Sequence, residues 1–408
     1  MMYNFAVLGG GIVGLSTAMA LGQRFPTARI VVIEKENRWA AHQTGHNSGV
    51  IHSGVYYRPG SFKARFCREG NRSMVEFCRA NDIPHEICGK VIVATEPAEL
   101  ALLETLYQRG VENGVEVHRM GPDEVAKVEP HVRCLKGIRV PSTGIVDFAA
   151  VARAYARIVE ENGGELRLSS EVVSLRADSR SHQIETTAGT FEARFLINCT
   201  GLHSDRIARM AGVDPGARIV PFRGEYYELR PERRHLVRTL IYPVPNPDFP
   251  FLGVHFTKMI DGSVHAGPNA VPGLMREGYL KSDFSFRDSL ETLRYPGFWR
   301  LARRHHAEGR REIIRSFSKA AFVRSLQRLI PEITADDVVP THAGVRAQAL
   351  LPDGKLVDDF LLVPGVRSMH VCNAPSPAAT ASIEIGIAVA DSLPDQPNLR
   401  KVTGRMTL

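Results

Sequence analysis

A glycine-rich motif near the start of the chain has the spacing of a dinucleotide-binding turn. Gly9, Gly11 and Gly14 fit the pattern G-x-G-x-x-G. The first glycine permits a tight turn, the second lets the backbone approach a pyrophosphate, and the third allows a helix to pack closely on a strand. Glu34 lies about 20 residues after the motif, at the position where an acidic residue binds a ribose 2′-hydroxyl and would repel a 2′-phosphate. The motif therefore predicts NAD or FAD and disfavours NADP.

The residues around this motif predict the β-α-β unit that would hold it. Residues 3–9 and 28–34 have the pattern of short buried strands, and residues 11–24 that of a helix with small residues on one side. A helix that begins at the motif presents free N–H groups and the positive end of its dipole to phosphates. Ile12 and Val13 would then lie beside the cofactor.

The rest of the chain alternates between two kinds of pattern. A pattern of strands and helices typical of parallel α/β structure returns after residue 147 and after residue 339. Between these parts, the pattern predicts strands and many prolines over 219–270 and basic helices over 287–330. The predicted fold class is α/β, with a discontinuous Rossmann-like domain and a second domain built on a mixed, largely antiparallel β-sheet plus helices. The predicted boundaries are 1–82, 147–215 and 340–408 for the cofactor domain, and 83–146 and 216–339 for the substrate or cap domain.

Composition excludes several classes of protein. In 408 residues, 44% are hydrophobic and 23% charged, which excludes disorder. No apolar run reaches the roughly 18 residues that a membrane span requires, and the N-terminus lacks a basic leader, so we expect no signal peptide. The six scattered cysteines contain no C-x-x-C pair. They favour a reducing cytoplasm and argue against a disulfide scaffold or a metal site.

The basic charge is partly concentrated in one segment. The net charge is +7, and residues 294–315 contain seven arginines, interleaved with Tyr295, Phe298 and Trp299. We interpret the segment as a solvated helical face, with an anionic membrane surface or a nucleic acid as the alternatives. No aromatic RNA-binding motif accompanies it, so we expect no nucleic-acid partner. The arginines are Arg294, Arg300, Arg303, Arg304, Arg310, Arg311 and Arg315.

Three further stretches are more specific than the glycine motif. They are GHNSGVIHSGVYY at residues 45–57, NCTG at 198–201 followed by Asp205, and APSPAATAS at 374–382. In this order and spacing the chain resembles the FAD-dependent D-amino-acid-oxidase-type superfamily. Within it, the chain is similar to the L-2-hydroxyglutarate dehydrogenase/oxidase family over essentially its whole length. The resemblance implies that the cofactor is FAD.

The resemblance also implies which residues hold FAD. Gly9, Gly11, Gly14 and Glu34 would bind the ADP half, and Lys35 and Val172 would shape the adenine pocket. The remaining cofactor contacts that the resemblance implies are Asn47, Ser48, Gly49, Thr200, Gly201, Gly344, Ala379, Thr380, Ala381 and Ser382. The last four match a helix start whose N–H groups face the flavin pyrimidine, where a helix dipole stabilises the negative charge of the reduced ring.

The implied reaction needs a base. Oxidation of an α-hydroxy acid moves a hydride from Cα to flavin N5 while a base takes the hydroxyl proton, and histidine has a pKa suited to this role. His52 lies in the loop expected at the flavin face, and His255 and His265 lie on strands of the second domain. His52 and His255 are the candidate bases, and His265 is a candidate substrate contact. A hydrogen-bonded core histidine remains the alternative for each.

A dicarboxylate substrate needs cations to hold it. Planar arginine binds carboxylates best, and Arg346, in the segment AGVR, resembles the arginine beside the flavin in this superfamily, with a catalytic as well as a binding role. Arg223, at the start of a strand expected to border the site, is the second candidate. Lys63, Tyr56 and Tyr242 are further candidate contacts. Ordinary packing or a surface position is the alternative for each of these residues.

The function predicted from these observations is FAD-dependent oxidation of L-2-hydroxyglutarate to 2-oxoglutarate, with electrons passed to oxygen or a quinone. The alternatives within the superfamily are an amine oxidase of the glycine or sarcosine type and a glycerol-3-phosphate dehydrogenase, since the fold alone does not decide between them. We expect a cytoplasmic protein, with peripheral contact to the inner membrane as the alternative, because quinone reduction would make such contact useful.

Overall fold

The computed structural model describes residues 2–246 and 251–393. Within these residues the chain forms twenty β-strands and eleven α-helices. The strands are β1 Met2–Leu8, β2 Ile30–Ile33, β3 Val50–Ile51, β4 His85–Glu86, β5 Lys90–Ala94, β6 His118–Met120, β7 Lys136–Val140, β8 Gly144–Val146, β9 Glu165–Arg167, β10 Val172–Ala177, β11 His182–Thr186, β12 Gly189–Asn198, β13 Arg218–Leu229, β14 Leu240–Pro243, β15 His255–Lys258, β16 Val264–Gly267, β17 Val271–Pro272, β18 Val338–Leu350, β19 Leu361–Gly365 and β20 Ser368–Asn373. The helices are α1 Ile12–Arg24, α2 Phe62–Ala80, α3 Leu100–Glu112, α4 Pro122–Val128, α5 Phe148–Glu161, α6 Ser204–Met210, α7 Phe286–Leu293, α8 Pro296–Arg304, α9 His306–Phe317, α10 Lys319–Leu326 and α11 Ser382–Ser392.

The first sheet carries the glycine motif at the carboxyl end of β1. Its centre consists of parallel neighbours in the order β9-β2-β1-β12-β20, and β10, β11 and β19 extend it with antiparallel pairings. All four residues of β2 are buried, as expected for a strand in a covered parallel sheet. The predicted β-α-β unit is therefore confirmed. The strand order also brings the carboxyl ends of β1, β2 and β12 to one edge, where α/β sheets bind ligands.

Small residues let α1 and α11 pack closely beneath this sheet. A Cβ on Gly386 would lie 2.7 Å from the backbone oxygen of Ser16, so no larger side chain fits there without movement of the helices. The Ser16 hydroxyl donates to the backbone oxygen of Ser382 at 2.8 Å. This contact anchors the start of α11, which borders the functional cavity described below, to the first helix of the chain.

The second sheet has nine strands and covers the cavity from the other side. Its order is β17-β13-β16-β15-β14-β5-β7-β6, with β18 paired to β13. Only β14 and β5 pair in parallel among these strands, so the predicted largely antiparallel sheet is confirmed. Helices α7 to α10 form the basic helical segment expected from the sequence.

The structure assigns one segment to a different sheet from the one expected. Residues 340–350 belong to β18, which pairs with β13 over almost its whole length, although the predicted boundary grouped 340–408 with the cofactor domain. The long antiparallel pairing holds this segment in the second sheet and lets it lie across the cavity. The domain boundaries themselves remain a prediction, and residues 394–408 lie outside the described part of the chain.

A small third sheet supports the loop that carries His52. It has the order β3-β8-β4 and is antiparallel. Within the loop expected to carry His52, Val50 and Ile51 form the short strand β3. Of the helices described here, none has the length and apolar character needed to cross a bilayer.

Candidate active site

A cavity of about 970 Å³ lies between the carboxyl edge of the first sheet and the face of the second. Its volume is at the upper end of the range for small-molecule sites, which run to roughly 1,000 Å³. Residues predicted from the sequence form a large part of its wall, and they are Gly9, Gly11, Ile12, Val13, Glu34, Lys35, Asn47, Ser48, His52, Lys63, Val172, Thr200, Gly201, Tyr242, His255, Gly344, Arg346, Ala379 and Thr380.

The three motif glycines have different roles in this geometry. Gly9 has a φ of 105°, and a Cβ there would lie 2.5 Å from the backbone oxygen of Cys199. A Cβ on Gly14 would overlap the carbonyl oxygen of Gly9, so this glycine serves helix packing and does not line the cavity. Gly11 has open space, since a Cβ there meets only the Thr44 hydroxyl at 3.4 Å. The backbone at Gly11 is therefore free for a phosphate to approach.

Glu34 is held at one end of the cavity by the backbone. Its carboxylate accepts hydrogen bonds from the N–H of Gly10 at 2.5 Å and of Glu36 at 2.9 Å. Lys35 donates to Glu36 at 2.6 Å and to Glu277 at 2.8 Å. These contacts fix the orientation of the carboxylate at the end of β2, the position at which the sequence predicted ribose binding.

Glu277 is a wall residue that the sequence did not predict. Burial raises its pKa, but hydrogen bonds from His203 and Lys35 outweigh this and hold the pKa at about 2. The carboxylate is therefore charged at neutral pH and ties the segment before α7 to the ribose end of the cavity. The signal that could have found it is the segment REGY at residues 276–279, which contains Glu277 and also resembles the L-2-hydroxyglutarate dehydrogenase/oxidase family.

The loop after the ribose end is shaped by Asn47. Its side-chain oxygen accepts from the N–H of Gly49 at 2.8 Å, and its amide donates to the backbone oxygen of Thr44 at 2.7 Å. Gly49 has a φ of 63° and faces away from the cavity, because a Cβ there would lie 2.7 Å from the backbone oxygen of Val146. Asn47 and Ser48 line the wall, and Gly49 provides the turn.

The segment 379–382, which leads into α11, meets the cavity through only two of its four residues. Ala379 and Thr380 line the wall. Ala381 and Ser382 are fully buried behind it, and the Ser382 hydroxyl bonds that of Tyr155 at 3.1 Å. The structure therefore corrects the placement of Ala381 and Ser382, which pack α11 rather than face the cavity. The Thr380 hydroxyl accepts from the N–H of His52 at 3.0 Å and so ties the His52 loop to this helix.

Two histidines on the wall are uncharged near neutral pH. Burial and then the positive charge of Lys90 lower the pKa of His52 to about 3. Burial, with Arg346 and Lys90 acting in the same direction, lowers the pKa of His255 to about 4. Nδ1 of His255 contacts the backbone oxygen of Gly253 at 2.9 Å. An uncharged imidazole has one nitrogen free to accept a proton, so either ring can act as a base.

Arg346 provides a cation without an ion-pair partner. It is half-buried, its Nη1 donates to the backbone oxygen of Asn269 at 3.3 Å, and its guanidinium lies 5.6 Å from the ring centre of Phe251. Among the described residues no carboxylate pairs with it, because the nearby Glu312 is paired with Arg315. A guanidinium left unpaired in a cavity is suited to binding a ligand carboxylate.

The structure corrects the placement of three predicted substrate contacts. Arg223 points away from the cavity, where its guanidinium pairs with Glu225 at 3.0 Å. His265 packs against the rings of Tyr226 and His342. Tyr56 lies behind the wall, with its ring 6.4 Å from that of Tyr242. None of the three lines the cavity.

The other substrate candidates line the wall. The Tyr242 ring centre is 4.0 Å from that of His255, and Lys63 pairs with the exposed Asp358 at 3.2 Å. Sequence reasoning missed Tyr226 and Gln43, which also line the cavity. Gln43 accepts from the N–H of Ala347 at 3.0 Å and so joins the glycine-rich loop to β18. Its position beside the conspicuous GHNSG stretch was the only signal.

These observations are typical of a dinucleotide-dependent oxidoreductase, whose cofactor would lie along the edge of the Rossmann-like sheet and whose substrate would lie under the second sheet. The model of the family "FAD dependent oxidoreductase" matches residues 4–392. The chain therefore belongs to this family, and its cofactor is FAD. The residues present fit that group, because Gly11 leaves room for the pyrophosphate and Glu34 is oriented toward a ribose.

Curated relatives are similar over nearly the whole chain. "L-2-hydroxyglutarate dehydrogenase" of Escherichia coli (strain K12) is 49% identical over 96% of this chain and 93% of the relative. The mitochondrial protein of that name from Homo sapiens is 44% identical over 96% of this chain and 88% of the relative. These matches confirm the predicted family.

Solved structures share the fold at lower identity. L-alpha-glycerophosphate oxidase from Mycoplasma pneumoniae, solved with FAD bound, has a TM-score of 0.80 at 19% identity and covers 99% of this chain and 97% of its own. Glycine oxidase from Geobacillus kaustophilus has a TM-score of 0.73 at 19% identity, covering 96% and 94%. At these identities the likeness supports the fold class alone.

Proposed function

We propose that this protein oxidises L-2-hydroxyglutarate to 2-oxoglutarate. The curated relatives that carry this activity in their names are 44–49% identical over about 96% of the chain. The observation in the cavity that supports the proposal best is the unpaired guanidinium of Arg346 near the uncharged His255, with the uncharged His52 on the same cavity wall. A 2-hydroxy acid requires this combination, because its carboxylate needs a cation and its hydroxyl needs a base.

The residues of the cavity wall have different roles in the proposed reaction. Gly11 and Glu34 would hold FAD, which when bound would supply the hydride acceptor for this oxidation. Arg346 binds the carboxylate beside the hydroxyl and orients Cα, and His52 or His255 takes the hydroxyl proton, so that the alcohol becomes a ketone. Lys63 holds the second carboxylate. Its present partner Asp358 is 87% exposed, so solvent can hydrate that carboxylate when Lys63 turns to the substrate.

Anaerobic mixing with candidate substrates tests this proposal. We expect the flavin absorbance to bleach after mixing with L-2-hydroxyglutarate. D-2-hydroxyglutarate, glycine, sarcosine and glycerol 3-phosphate should leave it unchanged. Bleaching by glycine or sarcosine would indicate an amine oxidase. Bleaching by glycerol 3-phosphate, with none by L-2-hydroxyglutarate, would indicate the other alternative of the superfamily.

We further propose that the electrons pass to a quinone at an anionic membrane surface on the cytoplasmic side. Among the residues that the structure describes, seventeen large hydrophobic side chains are exposed, and nine of them lie within residues 274–317, the segment that also contains the seven clustered arginines. Apolar side chains interleaved with cations are typical of surfaces that bind anionic lipids. Arg304 also lines the cavity, so this segment adjoins the site that must release its electrons. The nine side chains are Leu274, Leu280, Phe284, Phe286, Leu293, Trp299, Ile313, Ile314 and Phe317.

Vesicle flotation tests the membrane contact. We expect the flavoprotein to float with vesicles that contain phosphatidylglycerol and not with pure phosphatidylcholine, and the double change Phe286→Ser and Phe317→Ser to abolish flotation. Val366→Ser removes an equally exposed side chain outside the segment and serves as the control. The acceptor is tested by reoxidation of the reduced protein with a short-chain ubiquinone or with oxygen. Faster reoxidation by oxygen, or flotation unaffected by the double change, would contradict this proposal.

A further inference from the structure

Lys90 is a buried cation that the reaction described above does not use. It begins the strand β5, where its exposed fraction is 1%. Its Nζ atom faces two aromatic rings, 4.4 Å from the ring centre of Tyr56 and 5.2 Å from that of Tyr242. Lys90 does not line the cavity, whereas Tyr242 and His52 do. The amine therefore lies one layer behind the wall that faces the substrate.

Three buried polar atoms in this layer have no hydrogen-bond partner in the described structure. They are Nζ of Lys90, Nδ1 of His52 and the hydroxyl of Tyr56. Buried polar groups are almost always paired with protein or with ordered water. Because His52 reaches the cavity while its Nδ1 is buried, its other nitrogen, Nε2, is the one available to a substrate.

The groups around Lys90 leave it as the residue that titrates near neutral pH. Cys67 from α2, Tyr56 from the loop after β3 and Tyr242 from β14 all have a pKa raised by burial and stay uncharged. His52 and His255 are also uncharged, because burial and nearby cations lower the pKa of each. Burial lowers the pKa of Lys90 itself to about 7.

We propose that Lys90 is a positioning residue that selects the tautomer of His52. This inference rests on the proposed function and identifies His52 as the base. One water bridges the two unpaired atoms: it accepts a hydrogen bond from Nδ1–H of His52 and donates one to the uncharged amine, which leaves the Nε2 lone pair directed at the substrate hydroxyl. The ammonium form can only donate, so it favours the opposite tautomer, in which Nε2 carries the hydrogen and cannot accept a proton.

The sign of the pH dependence follows from this arrangement. Below about pH 7 Lys90 is charged, the unproductive tautomer dominates, and the charge also disfavours protonation of His52. Above that pH both effects disappear. Flavin reduction by substrate is therefore expected to accelerate as the pH rises through the pKa of Lys90.

Two variants of Lys90 test this arrangement, and the one that preserves the positive charge is expected to be the slower at high pH. Lys90→Arg keeps a permanent charge and should hold the rate of flavin reduction at the low-pH level throughout, at least about tenfold below the original protein at high pH, since general-base catalysis contributes 10²–10⁴-fold. Lys90→Met removes the charge and should lose the acceleration near neutral pH. Lys136→Met, an exposed lysine on the neighbouring strand β7, is the matched control and should keep it.

A second measurement reports the tautomer without substrate. In the flavoprotein carrying ¹⁵N-labelled histidine, with the His52 signals assigned from His52→Gln, we expect the Nδ1–H form above about pH 8 and the Nε2–H form below about pH 6. In Lys90→Arg the Nε2–H form should persist at both values. This result is independent of substrate identity, so it stands even if L-2-hydroxyglutarate fails to bleach the flavin.

Several outcomes would overturn the proposal. It fails if His52 of the unchanged protein shows one tautomer across this pH range, a measurement that needs no variant to fold. It also fails if Lys90→Arg reduces flavin as fast as the unchanged protein at high pH. A neutral-pH acceleration that survives in Lys90→Met would assign the titration to another group.

Discussion

Arg346 and Arg223 illustrate how one position in a sheet decides the role of a side chain. Arg346 on β18 pairs with Phe222, and Arg223 pairs with Val345. Side chains at successive positions of a strand point to opposite faces, so the two guanidinium groups lie on opposite sides of the same pair of strands. One faces the cavity without an ion-pair partner, and the other pairs with Glu225.

Replacing Arg346 should therefore weaken substrate binding without loss of flavin. For Arg346→Met we expect kcat/KM for L-2-hydroxyglutarate to fall by about 10- to 100-fold, because a hydrogen bond to a charged group contributes about 1.5–3 kcal/mol. Steady-state kinetics and the flavin-to-protein absorbance ratio measure the two effects. Arg223→Met is the matched control, with KM within about twofold of the unchanged protein. Equal losses in both variants would remove Arg346 from the substrate site.

At the scale of elements, the junction of β1 and α1 separates binding from packing within one motif. Gly9 and Gly14 are required because a Cβ at either position meets backbone atoms. Gly11 is surrounded by open space on the cavity side. A motif that looks uniform in the sequence therefore contains two glycines that hold the strand against the helix and one that leaves room for the cofactor.

The two kinds of glycine can be distinguished by the same substitution. We expect Gly11→Ala to fold with a melting temperature of the apoprotein close to that of the unchanged apoprotein, but to bind FAD more weakly, because the added methyl group occupies the path of the pyrophosphate. Gly14→Ala should fail to fold or melt far lower, since the backbone of Gly9 has to move. Circular dichroism of the apoproteins and FAD titration measure these outcomes. Normal FAD affinity in Gly11→Ala would place the pyrophosphate elsewhere.

At the scale of the whole molecule, a buried ion pair connects the two sheets. Arg276, in the segment between β17 and α7, donates to Asp205 of α6 at 2.5 Å and to the backbone oxygen of Leu202 at 2.7 Å. Asp205 also accepts from the N–H of Ile219 at the start of β13 at 3.0 Å. Both side chains are almost inaccessible to solvent. The pair therefore fixes the position of the second sheet above the cofactor edge of the first.

Removal of one partner should destabilise the protein strongly. Arg276→Met leaves the buried Asp205 carboxylate with only the more exposed Arg209, at 3.4 Å, as an ionic partner. Removing one partner of a buried ion pair typically costs about 3–5 kcal/mol of unfolding free energy. Urea unfolding of the apoprotein at neutral pH measures this loss. Arg287→Met is a suitable control, because it removes an exposed ion pair with Glu291, and such pairs contribute about 0–1 kcal/mol. A difference within 1 kcal/mol between the two variants would contradict the structural role of Arg276.

The same ion pair predicts how stability varies with acid pH. Burial raises the pKa of Asp205, but the hydrogen bond and charge of Arg276 outweigh it, so the net shift is downward. A depressed pKa in the folded state contributes stability above the pKa of the unfolded chain and loses it as the pH falls through the folded value. We expect the melting temperature to decline below about pH 4. In Asp205→Asn this decline should be smaller, and an unchanged slope would exclude Asp205 as its source.

Local patterns in the sequence determined much of what concerns the cofactor. The strand, the glycine turn and the helix of residues 2–24, the acid at the end of β2 and the alternation of sheet types all follow from spacing, turn chemistry and hydrophobic periodicity, which act over a few residues. Most of the residues that these patterns and the family resemblance assigned to FAD line the cavity, and their contacts with the cofactor stay a prediction. Gly14, Gly49, Ala381 and Ser382 do not line it, because neither a glycine turn nor a helix start reveals which of its residues face inward.

Only the tertiary structure decided which cations and bases meet the substrate. The choice between Arg346 and Arg223 depends on the register of β13 and β18, which are separated by more than a hundred residues in the chain. The burial of Lys90 behind His52 depends on β5, β14 and the loop after β3 meeting in space. Contacts between such distant segments arise from the packing of sheets on one another, and no short-range pattern in the sequence encodes them.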